Sequence, residues 1–148
     1  MFQRLGRRER GQTLIEFAFI APIIFLFLFT IVDFGIAMDR RITIQHAVRE
    51  GARYAAVHGG PCADMQIQTR TKDQAQGIID AGDVTVSYEH NPAAAGDNVS
   101  VKAHFTYQLA ILDTISDTFG VHAGSIDMSP SASARLELAV PNAGGCGP

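Results

Sequence analysis

The sequence contains few of the residue patterns that carry enzyme chemistry. Its five histidines are scattered, and none belongs to an HExxH motif or a similar metal-ligand spacing. It has no glycine-rich phosphate-binding loop and no GxSxG nucleophile motif. We therefore expect a protein that is not an enzyme and that has no cofactor, no metal ion and no small-molecule substrate.

Cysteine is also scarce, since the 148 residues include only Cys62 and Cys146. Neither lies in a CxxC or CxxH pattern, which gives no support to a zinc site or a thioredoxin-type redox site. If this part of the chain is exported, an oxidising compartment favours a disulfide between them. We favour this disulfide because only one intramolecular pairing exists, and two unrelated free thiols are the alternative. The bridge would tie the C-terminal tail to the end of a long helix.

Charge is distributed unevenly along the chain. The formal net charge is -3, but residues 1–11 carry four arginines against one glutamate, so the remainder is more acidic than the total suggests. An acidic body repels phosphate, and we expect no nucleic-acid partner. A basic head, an apolar block and an acidic body together indicate a membrane-inserted, translocated chain.

The apolar block is long enough to cross a membrane. Residues 17–32 read FAFIAPIIFLFLFTIV without a charge, and a span of about 14–38 exceeds the roughly 20 helical residues that a bilayer core requires. Glu16 and Asp33 lie one near each end. The leader arginines predict a single pass through a membrane with a cytoplasmic N-terminus, although Arg40 and Arg41 oppose this orientation. The block is too long for a secretory signal peptide, and Pro22 is tolerated in lipid with a kink.

The pattern beyond the block predicts an α+β architecture. Small and apolar residues recur at helical spacing as far as His58, before Gly59-Gly60-Pro61, so one helix is expected from about residue 13 to 58. Residues 59–148 form a small domain, with a helix over 64–81, a short helix over 111–119, and strands from Val84, over 99–107 and over 126–140. The first two strands alternate and predict an antiparallel hairpin.

The segment RRERGQTLIEF at residues 7–17 resembles a type IV prepilin processing site. The resemblance implies that a membrane peptidase cuts the bond between Gly11 and Gln12, which removes the leader at 1–11 and leaves a mature helix over 12–58. Glu16 is then the fifth residue, with Phe17 beside it. A carboxylate in a membrane helix costs about 2.5–3.5 kcal/mol at mid-bilayer and less near the interface. The new α-amino group of a neighbouring subunit would compensate for it.

A wider resemblance covers residues 10–57. The stretches GQTLIEFAFIAPIIFLFLFTIVDFG and QHAVREGARYAA are similar to the TadE-like family, the minor pseudopilins of the tight-adherence (Flp) pilus system. The matching residues are Gln12, Glu16, Phe17, Pro22, Phe34, Gly35, Ala47, Arg49, Glu50, Gly51, Ala52 and Arg53.

The resemblance implies a single-pass protein of the bacterial inner membrane whose C-terminal domain is periplasmic or extracellular. Its partners would be the prepilin peptidase and other Tad/Flp assembly proteins and pseudopilins, and its role would be pilus biogenesis for surface attachment and biofilm formation. The alternative is a membrane-anchored periplasmic sensor or adhesin domain that keeps its leader.

Overall fold

The computed structural model describes residues 6–60, 63–117, 120 and 124–139. Its elements are α1 (Gly6–His58), α2 (Asp64–Gln74), a short 3₁₀ turn (Ala81–Asp83), β1 (Val84–Tyr88), β2 (Asn98–Ala103), β3 (Phe105–Gln108), α3 (Ala110–Asp117), β4 (Ser125–Met128) and β5 (Ser131–Arg135). A long apolar helix is followed by a small antiparallel sheet domain, and the predicted α+β class is confirmed. Cys62 and Cys146 lie outside the described residues.

The described residues fall into two compact units. Unit 1 holds α1 as far as Ile36 together with the segment from Gln108 to Gly124, and unit 2 holds Ala37–Tyr107 and the chain from Ser125 onward. Helix α1 begins at Gly6, before the expected start near residue 13, and it ends at His58, where the glycine pair was expected to stop it.

The sheet of unit 2 has the strand order β1-β2-β5. The hairpin predicted from alternation is confirmed, because β1 pairs antiparallel with β2 and Val84 lies opposite Ala103. Strand β5 pairs antiparallel with the other side of β2, and Asn98 lies opposite Arg135. Strands β3 and β4 form a separate two-stranded sheet.

Two predicted strands are each divided in the structure. The strand expected over 99–107 is divided at His104. The His104 N–H donates to the Asp83 carbonyl at 2.9 Å, in register with the β1–β2 ladder, and beyond it the chain, as β3, pairs with β4 in the second sheet. The strand expected over 126–140 breaks before β5 at Pro130, which has no N–H to donate. Helix α2 is shorter than the expected 64–81, since the chain takes positive φ at Gln76 and Gly77.

The core of unit 2 forms against one face of α1. This face consists mostly of small side chains, which permits a close approach of the neighbouring elements. Gly51 is the tightest point, because an added Cβ would collide with the Thr71 hydroxyl of α2. The buried cluster comprises Ile44, Ala47, Val48, Ala52, Ala55, Ile67, Ala75, Ile79, Val84, Ala93, Val99, Val101, Ala103 and Leu136.

The end of α1 is fixed by the hydroxyl of Tyr88. This hydroxyl accepts a hydrogen bond from the Gly60 N–H at 3.0 Å and donates to Asp64 Oδ1 at 2.9 Å. Burial raises the pKa of Tyr88 to about 12, and the Asp64 carboxylate adds to the rise, while the Gly60 N–H opposes it. Burial also raises the pKa of Asp64, against the lowering effect of the Tyr88 hydrogen bond. One side chain therefore joins the ends of α1 and β1 to the start of α2.

Candidate functional site

Gly11 is exposed on α1, and the fold does not require a glycine there. A Cβ added at this position would meet no atom within 4 Å beyond its chain neighbours and the adjacent helix backbone. A glycine inside a helix costs about 1 kcal/mol relative to alanine. Gly11 therefore weakens α1 at the bond where processing is predicted, without any packing benefit that the structure shows.

Gln12 and Glu16 lie one turn apart on the same side of α1. The Gln12 Nε2 group donates to Glu16 Oε1 at 3.2 Å, and both side chains are exposed. Phe17 is exposed as well. The predicted processing and assembly residues thus lie together on open helix surface, where a group from outside the chain can reach the carboxylate. Their roles in processing and assembly stay predictions.

The apolar part of α1 presents its side chains outward. Among the described residues, α1 is the helix that is long and apolar enough to cross a membrane, and its most apolar window has no buried residue. It continues as α-helix through Pro22, and the kink predicted there stays a prediction. An exposed apolar helix of this length is consistent with a single-pass membrane anchor.

Asp33 is an exception within this exposed surface. Its side chain is fully buried, and its two carboxyl oxygens accept the N–H of Ile111 at 3.1 and 3.4 Å. Ile111 is the second residue of α3, so Asp33 satisfies a backbone donor of the first helical turn. Asp33 was expected near one end of the apolar span with no role assigned to it, and the segment that folds back onto it was not predicted from the sequence.

The outer half of α1 has two different faces. Its small residues pack into the core of unit 2, whereas Arg49, Glu50 and Arg53 remain exposed. Glu50 and Arg53 approach within 3.9 Å, and an exposed pair at that distance contributes little to stability. The fold therefore explains the small residues of the QHAVREGARYAA stretch, while its charged residues remain available at the surface.

A second group of chemistry-bearing side chains lies at the turn between β1 and β2. The potential ligand atoms of Glu89, His90 and Asp97 all lie within 4.8 Å of one another. Asp97 Oδ2 accepts a hydrogen bond from the Ala94 N–H at 2.7 Å and lies 3.2 Å from His90 Nδ1. Glu89 Oε2 accepts hydrogen bonds from the backbone N–H and the side-chain amide of Asn98. These contacts hold the turn together, and we assign them a structural role.

Residues 11–53 match the family model described as TadE-like protein. This segment of the chain is similar to the TadE-like family. The TadE-like segment starts at Gly11 and ends at Arg53, so it contains the predicted processing residues, the apolar span and most of the outer half of α1, and it stops before α2 and the sheet. The chain matches no curated protein and no solved structure. The family match and the apolar helix α1 together support a membrane-anchored, Tad pilus-associated protein.

Proposed function

We propose that this protein is a minor pseudopilin that a prepilin peptidase cuts between Gly11 and Gln12, and that it then acts in assembly of a tight-adherence (Flp) pilus. The observation that carries the proposal is the family match over residues 11–53, whose first residue is the glycine before the predicted cut. On this proposal the protein is not an enzyme, its leader is cytoplasmic, and its sheet domain is periplasmic or extracellular. Its biological role is surface attachment and biofilm formation.

The first step of the proposed mechanism is hydrolysis of one peptide bond. A peptidase cleft takes an extended chain, so the first turns of α1 must unwind around Gly11. Glycine lowers the free energy of that unwinding and places no side chain against the cleft. Water adds across the Gly11–Gln12 amide, which leaves a carboxylate on Gly11 and a free α-amino group on Gln12.

The second step is a charge pairing between subunits. At neutral pH most of the new α-amino group is protonated, because its ordinary pKa is about 8. Glu16 is exposed at the mouth of the apolar span, where an unpaired carboxylate is unfavourable in lipid. The Gln12 ammonium of a neighbouring subunit would neutralise it. A processed chain can therefore form an ion pair between subunits that an unprocessed chain cannot form.

The cleavage half of the proposal is tested by N-terminal sequencing and intact-mass analysis of the full chain, expressed in membranes with and without a prepilin peptidase. We expect a mature chain that begins at Gln12 only when the peptidase is present. Gly11→Ala should slow or block the cut. Gly35→Ala is the matched control, since it is a helical glycine of α1 with equally open space around an added Cβ, and it should be cut normally.

The assembly half is tested with Glu16→Ala and Glu16→Gln in the same system. Both variants should be cut like the natural chain and should then fail to co-purify with the other pilus components, because neither offers a negative charge to the Gln12 ammonium. A chain that keeps residues 1–11 beside an active peptidase would contradict the processing proposal and favour an anchored sensor or adhesin domain. Normal assembly of both Glu16 variants would contradict the role given to that carboxylate.

A further inference from the structure

The segment from Gln108 to Gly124 belongs with the apolar span of α1. These residues form unit 1 together with α1 as far as Ile36, whereas the sheet strands before and after them belong to unit 2. Their contact with the span is visible at Asp33, which is 0% exposed although its neighbours Val32 and Phe34 are 43% and 55% exposed. The Ile111 N–H, which donates to the Asp33 carboxyl, accounts for part of this burial.

The position of Asp33 sets the depth of α3. Asp33 lies within the predicted span of about 14–38, and the five residues between it and the end of the span correspond to about 7–8 Å along a helix. A backbone group that donates to Asp33 must lie at a similar depth. The start of α3 therefore lies at or just below the headgroup boundary whenever α1 spans a bilayer.

The sequence of α3, AILDTISD, suits that boundary. At about 100° per residue, Asp113 and Asp117 lie one turn apart on one side of the helix, and Ile111 lies on the other. Eight residues span about 12 Å, which is too short to cross a bilayer. A short amphipathic helix at such a depth lies in the plane of the interface, with its apolar side about 5–10 Å into the lipid.

We propose that α3 is an interfacial helix, and that Asp33 docks it against the membrane span so that its apolar side contacts the lipid surface. The leaflet concerned is the one that holds the C-terminal end of the span. The segment 108–124 contains no lysine or arginine, so its contact with the membrane is apolar and does not need anionic lipid. The inference requires that α1 spans a bilayer, but it does not require cleavage at Gly11.

Spin labels on the full chain, beginning at Met1, test this placement in bilayers of phosphatidylcholine. Both natural cysteines are replaced by serine, and single cysteines are introduced as Ile111→Cys, Asp117→Cys and Thr30→Cys, the last as a reference inside the span. Collisions with oxygen report lipid, and collisions with a polar nickel complex report water. We expect oxygen to dominate at positions 30 and 111 and nickel to dominate at 117.

The role of Asp33 is tested by adding Asp33→Leu or Asp33→Asn to the Ile111→Cys chain. Asparagine keeps an acceptor oxygen, so oxygen should still dominate at position 111. Leucine removes the acceptor and should shift position 111 towards nickel, while the label at position 30 stays unchanged because the span remains in lipid.

Nickel dominance at position 111 in the chain that keeps Asp33 would overturn the proposal. Protection of position 111 from both reagents would overturn it as well, because protein and not lipid would then cover the helix. Retention of oxygen dominance in Asp33→Leu would overturn the docking role of Asp33. Since no peptidase is present, none of these outcomes depends on processing.

Discussion

Gly51 is the position where the structure makes the strongest demand on a single residue. Thr71 of α2 lies against the helical face that contains it, and an added Cβ would collide with Thr71 Oγ1 and lie 3.4 Å from Thr71 Cβ. Thr71 is fully buried, and its hydroxyl donates to the Ile67 carbonyl at 2.7 Å. A buried hydroxyl that moves away from the added Cβ would lose this hydrogen bond without gaining one to water, and we predict that Gly51→Ala destabilises unit 2.

The magnitude follows from two opposed effects. Overpacking of a close-packed core costs about 1–3 kcal/mol, and a buried hydroxyl that swings away from its acceptor costs a comparable amount. Replacing a helical glycine by alanine recovers about 1 kcal/mol of helix propensity. The two costs add to about 2–6 kcal/mol, so the expected net loss in the free energy of unfolding is about 1–5 kcal/mol.

The assay is urea unfolding of the full chain in detergent, followed by tyrosine fluorescence. The sequence contains no tryptophan, and its three tyrosines, at positions 54, 88 and 107, all belong to unit 2. The signal therefore reports unit 2 without interference from the apolar span. Gly35→Ala is the control, because a Cβ at that helical position meets nothing, and it should leave the transition unchanged.

A second substitution tests whether the Thr71 hydroxyl is the cause. Thr71→Ala removes Oγ1, after which the Cβ introduced at position 51 would lie at ordinary contact distance from its neighbours. We expect Thr71→Ala to be harmful in the natural chain and close to neutral or helpful beside Gly51→Ala, with a coupling of about 1–3 kcal/mol in the double-mutant cycle. Additive effects, or a Gly51→Ala chain as stable as the natural one, would refute the reasoning.

Two further predictions concern the core and the end of α1. Ile44→Ala should lower the free energy of unfolding by about 2–5 kcal/mol, because it leaves a cavity at a fully buried position. Ile42→Ala, at a 58% exposed position on the same helix, should change it by no more than about 0.5 kcal/mol; equal losses in the same urea assay would contradict the assigned face. The raised pKa of Tyr88 predicts that its contribution to stability is complete below pH 10.0 and is lost as the pH rises through about 12, because the folded state then holds its proton more tightly than the unfolded state. Absorbance titration of tyrosinate should show one late-titrating group that is missing in Tyr88→Phe.

The elements of unit 2 were predictable where hydrophobic periodicity was strong. The alternation of Val84, Val86 and Tyr88 against polar neighbours marked β1, and Val99 and Val101 marked β2, because one face of each strand is buried. The two strand breaks were not predictable in the same way. At His104 and at Pro130 the chain passes from one sheet to the other, and the alternation of apolar and polar residues does not indicate which strand each half pairs with.

Only some features of the candidate site were predictable from the sequence. Gly11, Glu16 and Phe17 were recognisable because they form a local motif beside an apolar run. The partner of Asp33 was not, since Ile111 lies far along the chain and contributes only a backbone N–H, which every residue except proline carries. The closeness of Gly51 to Thr71 was not predictable either. A glycine in a helix does not by itself indicate a close neighbour, since Gly11 and Gly35 of the same helix have open space where Gly51 does not.

The placement of Ile44, Ala47, Val48, Ala52 and Ala55 in the buried cluster has a practical consequence for producing the sheet domain without its anchor. The residues of α1 beyond Ile36 form part of the core of unit 2 and are not a linker that can be removed. A gene fragment that starts near Ala37 keeps these core residues. One that starts at the end of the helix, near Gly59, would expose the apolar face of the sheet and would have a strong tendency to aggregate.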